Sequence, residues 1–559
     1  MGNLEWWKTA TVYQIYPKSF KDSNGDGIGD LPGITSRISY LKELGIDMVW
    51  LSPIYESPNV DNGYDISDYE SIHPDYGTMA DFDDLLAELH SNQIKVMMDL
   101  VVNHTSDEHH WFREACKAKD NPYRDYYIWR KGTNGQPPTD WSASFGGSSW
   151  TYDRTTDEYY LHQFSKSQPD LNWENPKLRQ EIYQMMRFWL EKGVDGFRMD
   201  VINQISKKEV LGSYQEFELG QGWYKALKPD QASVHVWLNE MNREVLSHYD
   251  VVTVGETPKV TLEEALKYSN PLRSELHMVF QFEHMRLDRV KGKSKWDIAE
   301  LPLVELKENL SKWQKALAGK GWNSLYWNNH DQPRIVSRFG NDEPKWRTLS
   351  AKLLAHTLYM MQGTTFLFQG EEIGLPNAYF DDIFDYNDIE SVNYYQLKKQ
   401  EGIPDQQIIR SLQAQSRDNG RTPVPWNNSH NFGFTTGKPW LPFSKHSDLP
   451  TAEDNVKDLE SVYHYYRKLI RLRKEQAILS EGTYTLQLPE NNQIFAFSRK
   501  YNEEEWFTYT NWSEETITIP MQPERRQRVI GNYGEAFYTN SREEELTLRP
   551  YEAITFRKE

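Results

Sequence analysis

Three carboxylates follow short apolar stretches of the chain. Asp200 closes the stretch GFRMD, Glu256 closes VVTVGE, and Asp331 follows YWNNH. A single acid in such a position is often only a cap at the end of a strand or helix. An apolar stretch that ends in an acid also predicts a buried parallel strand whose last side chain reaches one rim of a sheet. Three carboxylates at one rim could supply a nucleophile, a proton donor and a group that holds the sugar, as glycoside hydrolysis requires.

Alternating strand-like and helix-like segments would position these acids. Before residue 104 they are predicted as strands at Val12–Pro17, Met48–Pro53 and Lys95–Asn103, with helices at Ile34–Gly45 and Ala80–Gln93. After residue 170 five more strands are predicted. The first ends at Asp200, the second ends at Glu256, and the fourth leads to Asp331. The third and the fifth cover His277–Phe282 and Thr364–Gln369. Eight strand–helix units with right-handed crossovers close into a (β/α)8 TIM barrel, whose active sites lie at the C-terminal rim. All three acids fall at that rim.

Two stretches break the alternation and predict further domains. Residues 104–170 are rich in Asp, Gly, Ser, Thr, Tyr and Trp, which predicts a small β-rich insertion after the third strand. Beyond a helix at Val456–Arg473, short alternating segments predict a C-terminal antiparallel β-sandwich domain over 476–559. The barrel is then expected over 1–103 and 171–475.

Composition restricts the partners and the compartment. With 63 basic and 82 acidic residues the net charge is −19, which argues against nucleic acid or an anionic membrane as partner. One cysteine, Cys116, excludes an intrachain disulfide and fits a reducing cytoplasm. The start of the chain lacks a secretory profile, and no apolar stretch approaches the ~18 residues of a membrane span. We therefore expect a cytoplasmic protein, and we expect it to be a monomer.

Four ordered motifs carry a resemblance to a known family. They are DLVVNH at 99–104, GFRMD at 196–200, VGE at 254–256 and NHD at 329–331. With them the chain resembles glycoside hydrolase family 13, the α-amylase superfamily, and within it the oligo-1,6-glucosidase and α-glucosidase group. The resemblance runs nearly from end to end. It implies a retaining, exo-acting α-glucosidase with a small oligosaccharide as substrate.

The resemblance also implies a role for each rim residue. Asp200 would be the nucleophile and Glu256 the acid/base, with their carboxyl groups ~5–5.5 Å apart. Arg198 would project from the same side of the strand as Asp200 and lower its pKa. Glu256 has to hold a proton near neutral pH, which a less polar setting favours. The sugar hydroxyls would be held by a third set of residues, which are Asp331, His330 and His104. Outside its motif, His104 would be taken for a core histidine.

The same resemblance predicts the subsite of the non-reducing glucose. Asp61 would hold hydroxyls, and Tyr64 would stack on the sugar ring. Arg417 would pair with Asp61 and close the far end of the pocket, which makes the enzyme exo-acting. Arg417 or Arg421 could instead serve only a structural ion pair.

A glycine-rich acidic loop follows the first strand. Residues 22–30, DSNGDGIGD, alternate oxygen side chains with glycine, and Ca²⁺ favours such hard ligands. The twelfth loop position is Gly33 rather than Glu, so a sensor EF-hand is rejected, and an Asx-rich turn is the alternative. The resemblance implies one structural Ca²⁺ away from the chemistry, bound by Asp22, Asn24, Asp26, the carbonyl of Ile28, and Asp30.

The residue directly after the expected nucleophile could influence which glycosidic linkage is cleaved. Relatives restricted to α-1,4 bonds tend to carry Ala or Thr where this chain has Val201. A rigid β-branched side chain there would narrow the next subsite and favour the longer α-1,6 linkage. Alternatively, Val201 is simply a strand residue, which its propensity also explains.

Related activities stay open at this point. A trehalose-6-phosphate hydrolase shares most motifs but commonly has Met where this chain has Thr257. A sucrose isomerase is suggested by RLDR at 286–289, although Val290 replaces its final Asp. An α-1,4-glucosidase is a third alternative. A catalytically inactive binding protein is disfavoured because both catalytic carboxylates are present. The segment Glu209–Gln231 matches relatives poorly and is expected to border the pocket.

Overall fold

The protein was analysed as a computed structural model that describes residues 5–207, 214–219, 222–227, 229–521, 525–534 and 544–559. Within these residues, eight parallel strands form the central sheet, namely β1 Thr11–Ile15, β2 Met48–Leu51, β3 Lys95–Leu100, β4 Gly196–Met199, β5 Val252–Glu256, β6 Met278–Phe280, β7 Ser324–Tyr326 and β8 Thr364–Phe368. Neighbours in the chain are neighbours in the sheet from β1 to β6, and β8 pairs with both β7 and β1. A parallel bridge between Val279 and Asn323 joins β6 to β7 and closes the circle. The predicted (β/α)8 barrel is confirmed.

Helices follow the strands along the chain. They are Leu31–Thr35 and Ile38–Leu44 after β1, Met79–Ser91 after β2, Pro176–Lys192 before β4, Ala232–Glu244 after β4, Leu262–Ser269 after β5, Leu303–Leu317 after β6, Ile335–Arg338 and Arg347–Tyr359 after β7, and Ile389–Gln400 and Asp405–Gln415 after β8. The helix Met79–Ser91 buries Phe82, Leu85, Leu86 and Leu89, and Thr78 and Asp81 form a capping box at its start. This apolar face and its cap explain why the segment is helical.

The structure divides one predicted helix and places Asp331 in a loop. The helix predicted at Ile34–Gly45 is two helices, because the backbone leaves helical geometry at Arg37, where φ is −116° and ψ is 8°. The seventh strand ends at Tyr326, so Asp331 lies in the loop beyond it. The side chain of Asn329 accepts a 2.8 Å hydrogen bond from the amide of Asp331 and shapes that loop.

The insertion and the C-terminal part have separate small cores. The insertion contains a three-stranded antiparallel sheet of Trp129–Arg130, Trp150–Asp153 and Glu158–Leu161. At the C-terminus the predicted helix Val456–Arg473 is two, Ala452–Lys457 and Val462–Glu475, because Asp458 between them is extended. A five-stranded antiparallel sheet follows, formed by Thr483–Gln487, Ile494–Tyr501, Glu504–Asn511, Arg526–Gly531 and Ala553–Lys558. It shares a core with the strand pair Ile517–Pro520 and Glu545–Leu548.

The segment Glu209–Gln231, which the sequence predicts to border the pocket, is described only in part. The backbones of Tyr214–Leu219 and Gly222–Leu227 pair as an antiparallel hairpin. The side chains of residues 208–228 lie outside the described residues, so the predicted position beside the pocket stays a prediction. None of the helices in the described ranges is long and apolar enough to cross a membrane.

Candidate active site

Arg198 lies at the centre of a group of carboxylates at the barrel rim. Its Nη1 donates to Oδ1 of Asp200 at 2.7 Å and to Oδ1 of Asp99 at 2.8 Å, and its Nη2 donates to Oε2 of Glu256 at 2.6 Å. The three strands β3, β4 and β5 lie side by side in parallel, so their ends deliver these side chains to one place. The predicted pair Asp200 and Glu256 is therefore brought together by strand register.

The two carboxyl groups share more than the arginine. The main chain directly after Asp200 also contacts Glu256, because the amide of Val201 donates to Oε2 of Glu256 at 3.1 Å. Burial raises the pKa of Asp200 well above its ordinary value, and Glu256 and Asp99 add to the rise, whereas Arg198 opposes it. Arg198 lowers the pKa of Asp200, as predicted, but it does not keep the pKa below its ordinary value, because one guanidinium serves three buried carboxylates and burial outweighs its share.

A second group of ions surrounds Asp331. Its Oδ1 lies 3.2 Å from Nη1 of Arg417 and 2.9 Å from Nη2 of Arg421, and its Oδ2 lies 3.3 Å from Nε2 of His330. Burial acts to raise the pKa of Asp331, but His330 and the two arginines hold it well below its ordinary value. Burial lowers the pKa of His330 to about 3. At neutral pH the site therefore presents a charged Asp331 beside an uncharged imidazole.

Arg417 lines the pocket and pairs with two buried carboxylates. Its Nη2 lies 3.0 Å from Oδ1 of Asp61, which is the predicted pair, and 2.6 Å from Oδ1 of Asp388. Burial raises the pKa of Asp61 although Arg417 and Arg421 oppose it. Both guanidinium groups also contact Asp331, so these ions form one network rather than isolated pairs.

Tyr64 and His104 form the wall beside Arg198. The Tyr64 hydroxyl donates to Oδ2 of Asp99 at 2.9 Å, and its ring lies parallel to that of His330 with 4.9 Å between the ring centroids. Nε2 of His104 contacts the carbonyl of Tyr64 at 3.0 Å. Burial lowers the pKa of His104 to about 4, so it is neutral at pH 7. Tyr64 and His104 both line the cavity.

Val201 stands in a left-handed backbone conformation directly after Asp200. Its φ is 34° and its ψ is 40°, and its amide donates to Oε2 of Glu256 at 3.1 Å. The interpretation of Val201 as a strand residue is wrong, because β4 ends at Met199 and a β-branched residue in this region is a strained outlier. Its side chain lines the cavity, which is where the linkage hypothesis requires it.

The cavity at this rim has a volume of about 210 Å³. The predicted residues that line it are Asp61, Tyr64, His104, Asp200, Val201, Glu256, Asp331 and Arg417. Arg198 and His330 contact these residues from behind. The site thus combines a pair of carboxyl groups with a network of ion pairs around Arg417.

A comparison with protein families decides the class. The family model described as alpha amylase, catalytic domain, matches residues 14–482. The chain belongs to this alpha-amylase family. It is therefore a glycoside hydrolase, as its motifs predict.

Relatives of this alpha-amylase family member cover its whole length. It is 53% identical to an oligo-1,6-glucosidase of Bacillus cereus, with 99% of each chain covered. It is 48% identical to a trehalose-6-phosphate hydrolase of Bacillus subtilis, with 99% of this chain and 98% of that one covered. Among solved structures, an isomaltulose synthase of Erwinia rhapontici in complex with sucrose matches with a TM-score of 0.94 at 40% identity, over 100% of both chains.

Sequence reasoning missed several residues of this alpha-amylase family site. Asp99 had a signal, since it opens the motif DLVVNH at the end of β3, but it was given no role. Asp388 had none, because an acid before a helix is an ordinary N-cap, and Asp388 does cap Ile389–Gln400. Nine further residues line the cavity, and apart from Arg289 in the segment RLDR they lie outside the quoted motifs; they are Phe145, Phe164, Phe282, Arg289, Lys295, Gln332, Pro333, Glu390 and Gln415.

The predicted metal loop is a series of turns closed by its own side chains. Oδ1 of Asp22 accepts from the amide of Asn24 at 2.9 Å, Oδ1 of Asp26 accepts from Ile28 at 2.8 Å, and Oδ1 of Asp30 accepts from Gly33 at 2.6 Å. Among the described residues, no group of three or more His, Cys, Asp or Glu side chains is placed to hold a metal ion. The oxygen types still fit Ca²⁺, because carboxylate, amide and carbonyl oxygens are its ligands and each carboxylate oxygen has a second lone pair. None of these residues lines the cavity.

Proposed function

We propose that the enzyme is a retaining, exo-acting α-glucosidase that hydrolyses terminal α-1,6-glucosidic bonds of isomalto-oligosaccharides. One observation carries the proposal. Asp200 and Glu256 both accept from the guanidinium of Arg198, and they line a cavity that is also lined by the ion pair of Arg417 and Asp61. We take this ion pair as the closed end of the cavity, and a carboxyl pair beside a closed end suits cleavage of the last sugar of a chain.

The proposed chemistry is a double displacement. The carboxylate of Asp200 attacks the anomeric carbon while Glu256 gives its proton to the glycosidic oxygen, and the leaving sugar departs as an alcohol. Glu256 then removes a proton from water, whose oxygen displaces Asp200 from the anomeric carbon. The pair needs one proton between its two carboxyl groups, with the charge on Asp200. Arg198 contacts both and so stabilises whichever group is charged.

The shared arginine favours retention. Retaining enzymes place the two carboxyl groups about 5–5.5 Å apart, whereas inverting enzymes need about 6.5–9.5 Å to admit a water molecule between the base and the sugar. Asp200 and Glu256 accept from the single Arg198 guanidinium at 2.7 Å and 2.6 Å, which suits the closer spacing.

The linkage proposal rests on Val201 and on the relatives. The strained turn holds the Val201 side chain in the cavity wall one residue beyond the proposed nucleophile, towards the leaving sugar. The relative at 53% identity is named an oligo-1,6-glucosidase, and the trehalose-6-phosphate hydrolase stands at 48%. These identities favour the α-1,6 reading over trehalose-6-phosphate, α-1,4 bonds or sucrose isomerisation.

A substrate panel tests the proposal. Hydrolysis rates would be measured on isomaltose, isomaltotriose, maltose, sucrose, trehalose and trehalose-6-phosphate, with the first product followed by NMR. We expect the highest kcat/KM on isomaltose or isomaltotriose and α-glucose as the first product. A higher kcat/KM on trehalose-6-phosphate would show that this sugar, and not an isomalto-oligosaccharide, is the substrate. Release of β-glucose as the first product would contradict the retaining mechanism.

For the loop of residues 22–30 we propose one structural Ca²⁺. Its ligands would be the side chains of Asp22, Asn24, Asp26 and Asp30 and the carbonyl of Ile28. The ion would offset three negative charges that lie close together in a short loop. Because none of these residues lines the cavity, the ion would stabilise the fold without taking part in the reaction. Cytoplasmic location and a monomeric state stay predictions of the sequence.

A further inference from the structure

The turn behind the proposed nucleophile is anchored to Asp230. Nδ2 of Asn203 donates to Oδ1 of Asp230 at 3.0 Å and to the carbonyl of Pro258 at 3.1 Å. The amide of Asp230 donates back to the carbonyl of Asn203 at 2.9 Å. The hydroxyl of Tyr268 donates to the same Oδ1 of Asp230 at 2.8 Å. Asn203 thereby joins the loop after β4 to the loop after β5, and Asp230 holds it there from two directions.

This anchor acts on a turn that is under strain. A β-branched residue with left-handed dihedrals is strained and persists only where its surroundings over-determine it. Val201 has such dihedrals, and the amide of Gln204 closes the turn on the Val201 carbonyl at 2.9 Å. Asn203 lies inside this turn. The contacts that hold Asn203 therefore also resist relaxation of Val201.

Packing against β5 adds a second restraint on the same turn. A Cβ atom at Gly255 would lie 3.0 Å from a methyl group of Ile202 and 2.6 Å from Leu276. Glycine at 255 thus lets the turn approach the strand that carries Glu256. The hydrogen bond between Asn203 and Asp230 restrains the other side of the turn.

We propose that Asp230 is a positioning residue for the catalytic turn. By holding Asn203 it keeps the amide of Val201 on Oε2 of Glu256 and the Val201 side chain against the leaving sugar. Asp230 and Tyr268 do not line the cavity, so they act through the turn and not on the substrate. The inference rests on the proposed function to the extent that Glu256 is the proton donor.

The test compares a leaving group that needs protonation with one that does not. Asp230→Gly removes the side chain, and glycine adopts the φ of 57° at this position without strain. We expect the ratio of kcat for isomaltose to kcat for p-nitrophenyl α-glucoside to fall roughly tenfold, part of the ~10²–10⁴-fold that a general acid contributes. The ratio of kcat/KM for isomaltose to that for maltose should fall as well. Both ratios are independent of the fraction of protein that is folded.

The chain offers a matched control at Asp157. It also has a left-handed φ, of 53°, and its Oδ1 accepts from the hydroxyl of Tyr152 at 2.7 Å, but it is exposed and lies in the insertion away from the cavity. Asp157→Gly should leave both ratios at the wild-type value. A fall in this control as large as that in Asp230→Gly would overturn the proposal.

Two further variants separate positioning from a merely structural role. Asp230→Asn keeps an oxygen acceptor and tolerates the left-handed conformation, so it should restore most of both ratios. Tyr268→Phe removes one of the two donors and should give an intermediate fall. Unchanged ratios in Asp230→Gly, with only a lower melting temperature, would overturn the inference. Failure of the proposed function is separate, since it would appear as a wild-type enzyme inactive on isomaltose.

Discussion

The backbone amide of Val201 donates a hydrogen bond of 3.1 Å to Oε2 of Glu256. The same oxygen accepts from Arg198 at 2.6 Å. Because Val201 directly follows Asp200, the main chain of one strand end orients the carboxyl group delivered by the next. The spacing of the two acids is therefore set by backbone as well as by side-chain contacts. This arrangement underlies the predictions below.

Removal of either carboxylate should abolish turnover without unfolding the protein. Asp200→Asn and Glu256→Gln are nearly isosteric, and each should lower kcat on isomaltose by at least ~10²-fold, the lower end of a general acid's contribution. Glu256→Gln should recover activity on substrates with activated leaving groups, which need little protonation, whereas Asp200→Asn should not. Steady-state kinetics on isomaltose and p-nitrophenyl α-glucoside check this. Equal losses on both substrates in both variants would contradict the assigned roles.

Substitution of Val201 should change linkage preference. Wild type should have a higher kcat/KM on isomaltose than on maltose, and Val201→Ala or Val201→Thr should shift the ratio towards maltose. The loss of one or two methyl contacts in a pocket is worth ~1–3 kcal/mol, or roughly 10- to 200-fold in discrimination. Val201→Ile, which keeps both branches apolar, is the matched control and should preserve the preference. An unchanged ratio in both Val201→Ala and Val201→Thr would remove Val201 from the specificity argument.

Chelation should lower thermal stability and spare the reaction. An ion bound only by the folded state stabilises it by ~2.7 kcal/mol when its free concentration is 100 times its Kd. EDTA should therefore lower the melting temperature, while the rate of the folded enzyme stays nearly constant. Asp22→Ala and Asp26→Ala should have the lower melting temperature already and should not respond to EDTA.

The matched control for the loop is Asp26→Asn. It keeps an oxygen that can accept from the amide of Ile28 but removes one charge, so a metal-bound loop should lose stability and a simple Asx turn should not. Loss of activity with EDTA at a temperature where the fold persists would make the metal catalytic and contradict the proposal.

Buried Glu371 should make stability fall as pH rises. Burial raises its pKa from 4.5 to about 7, and the Tyr466 hydroxyl donates to its Oε1 at 2.7 Å. Between these pH values the folded protein keeps a proton that the unfolded chain has released, so the free energy of unfolding decreases by roughly 3 kcal/mol across the window. Glu371→Gln removes this dependence.

The measurement is the melting temperature at pH 5 and at pH 8. Relative to wild type, Glu371→Gln should be more stable at pH 8 than at pH 5, whatever its absolute stability. The exposed Glu503→Gln is the control and should follow the wild type at both pH values. A constant difference between Glu371→Gln and wild type would show that Glu371 is ionised throughout.

Much of the barrel was predictable because its signals are local. Apolar stretches and helical periodicity recur along the chain, and the strands that end at Leu100, Met199 and Glu256 lie where those patterns place them. The order of the four motifs likewise needs no three-dimensional information. The errors are local too. A non-helical backbone at Arg37 divides one predicted helix, and β7 ends before the loop that carries Asp331.

Only the tertiary structure decided how the site is charged and closed. Arg417 and Asp61 stand 356 positions apart, and Asp388 joins them from a third loop that carries no motif. The pKa of Asp200 depends on burial by every surrounding element, and its neighbouring arginine is only one contribution. The sequence alone determined which residue types stand at the strand ends, since this depends on neighbours along the chain. The raised pKa of Asp200 and the strained turn at Val201 depend on neighbours in space, so the fold decided them.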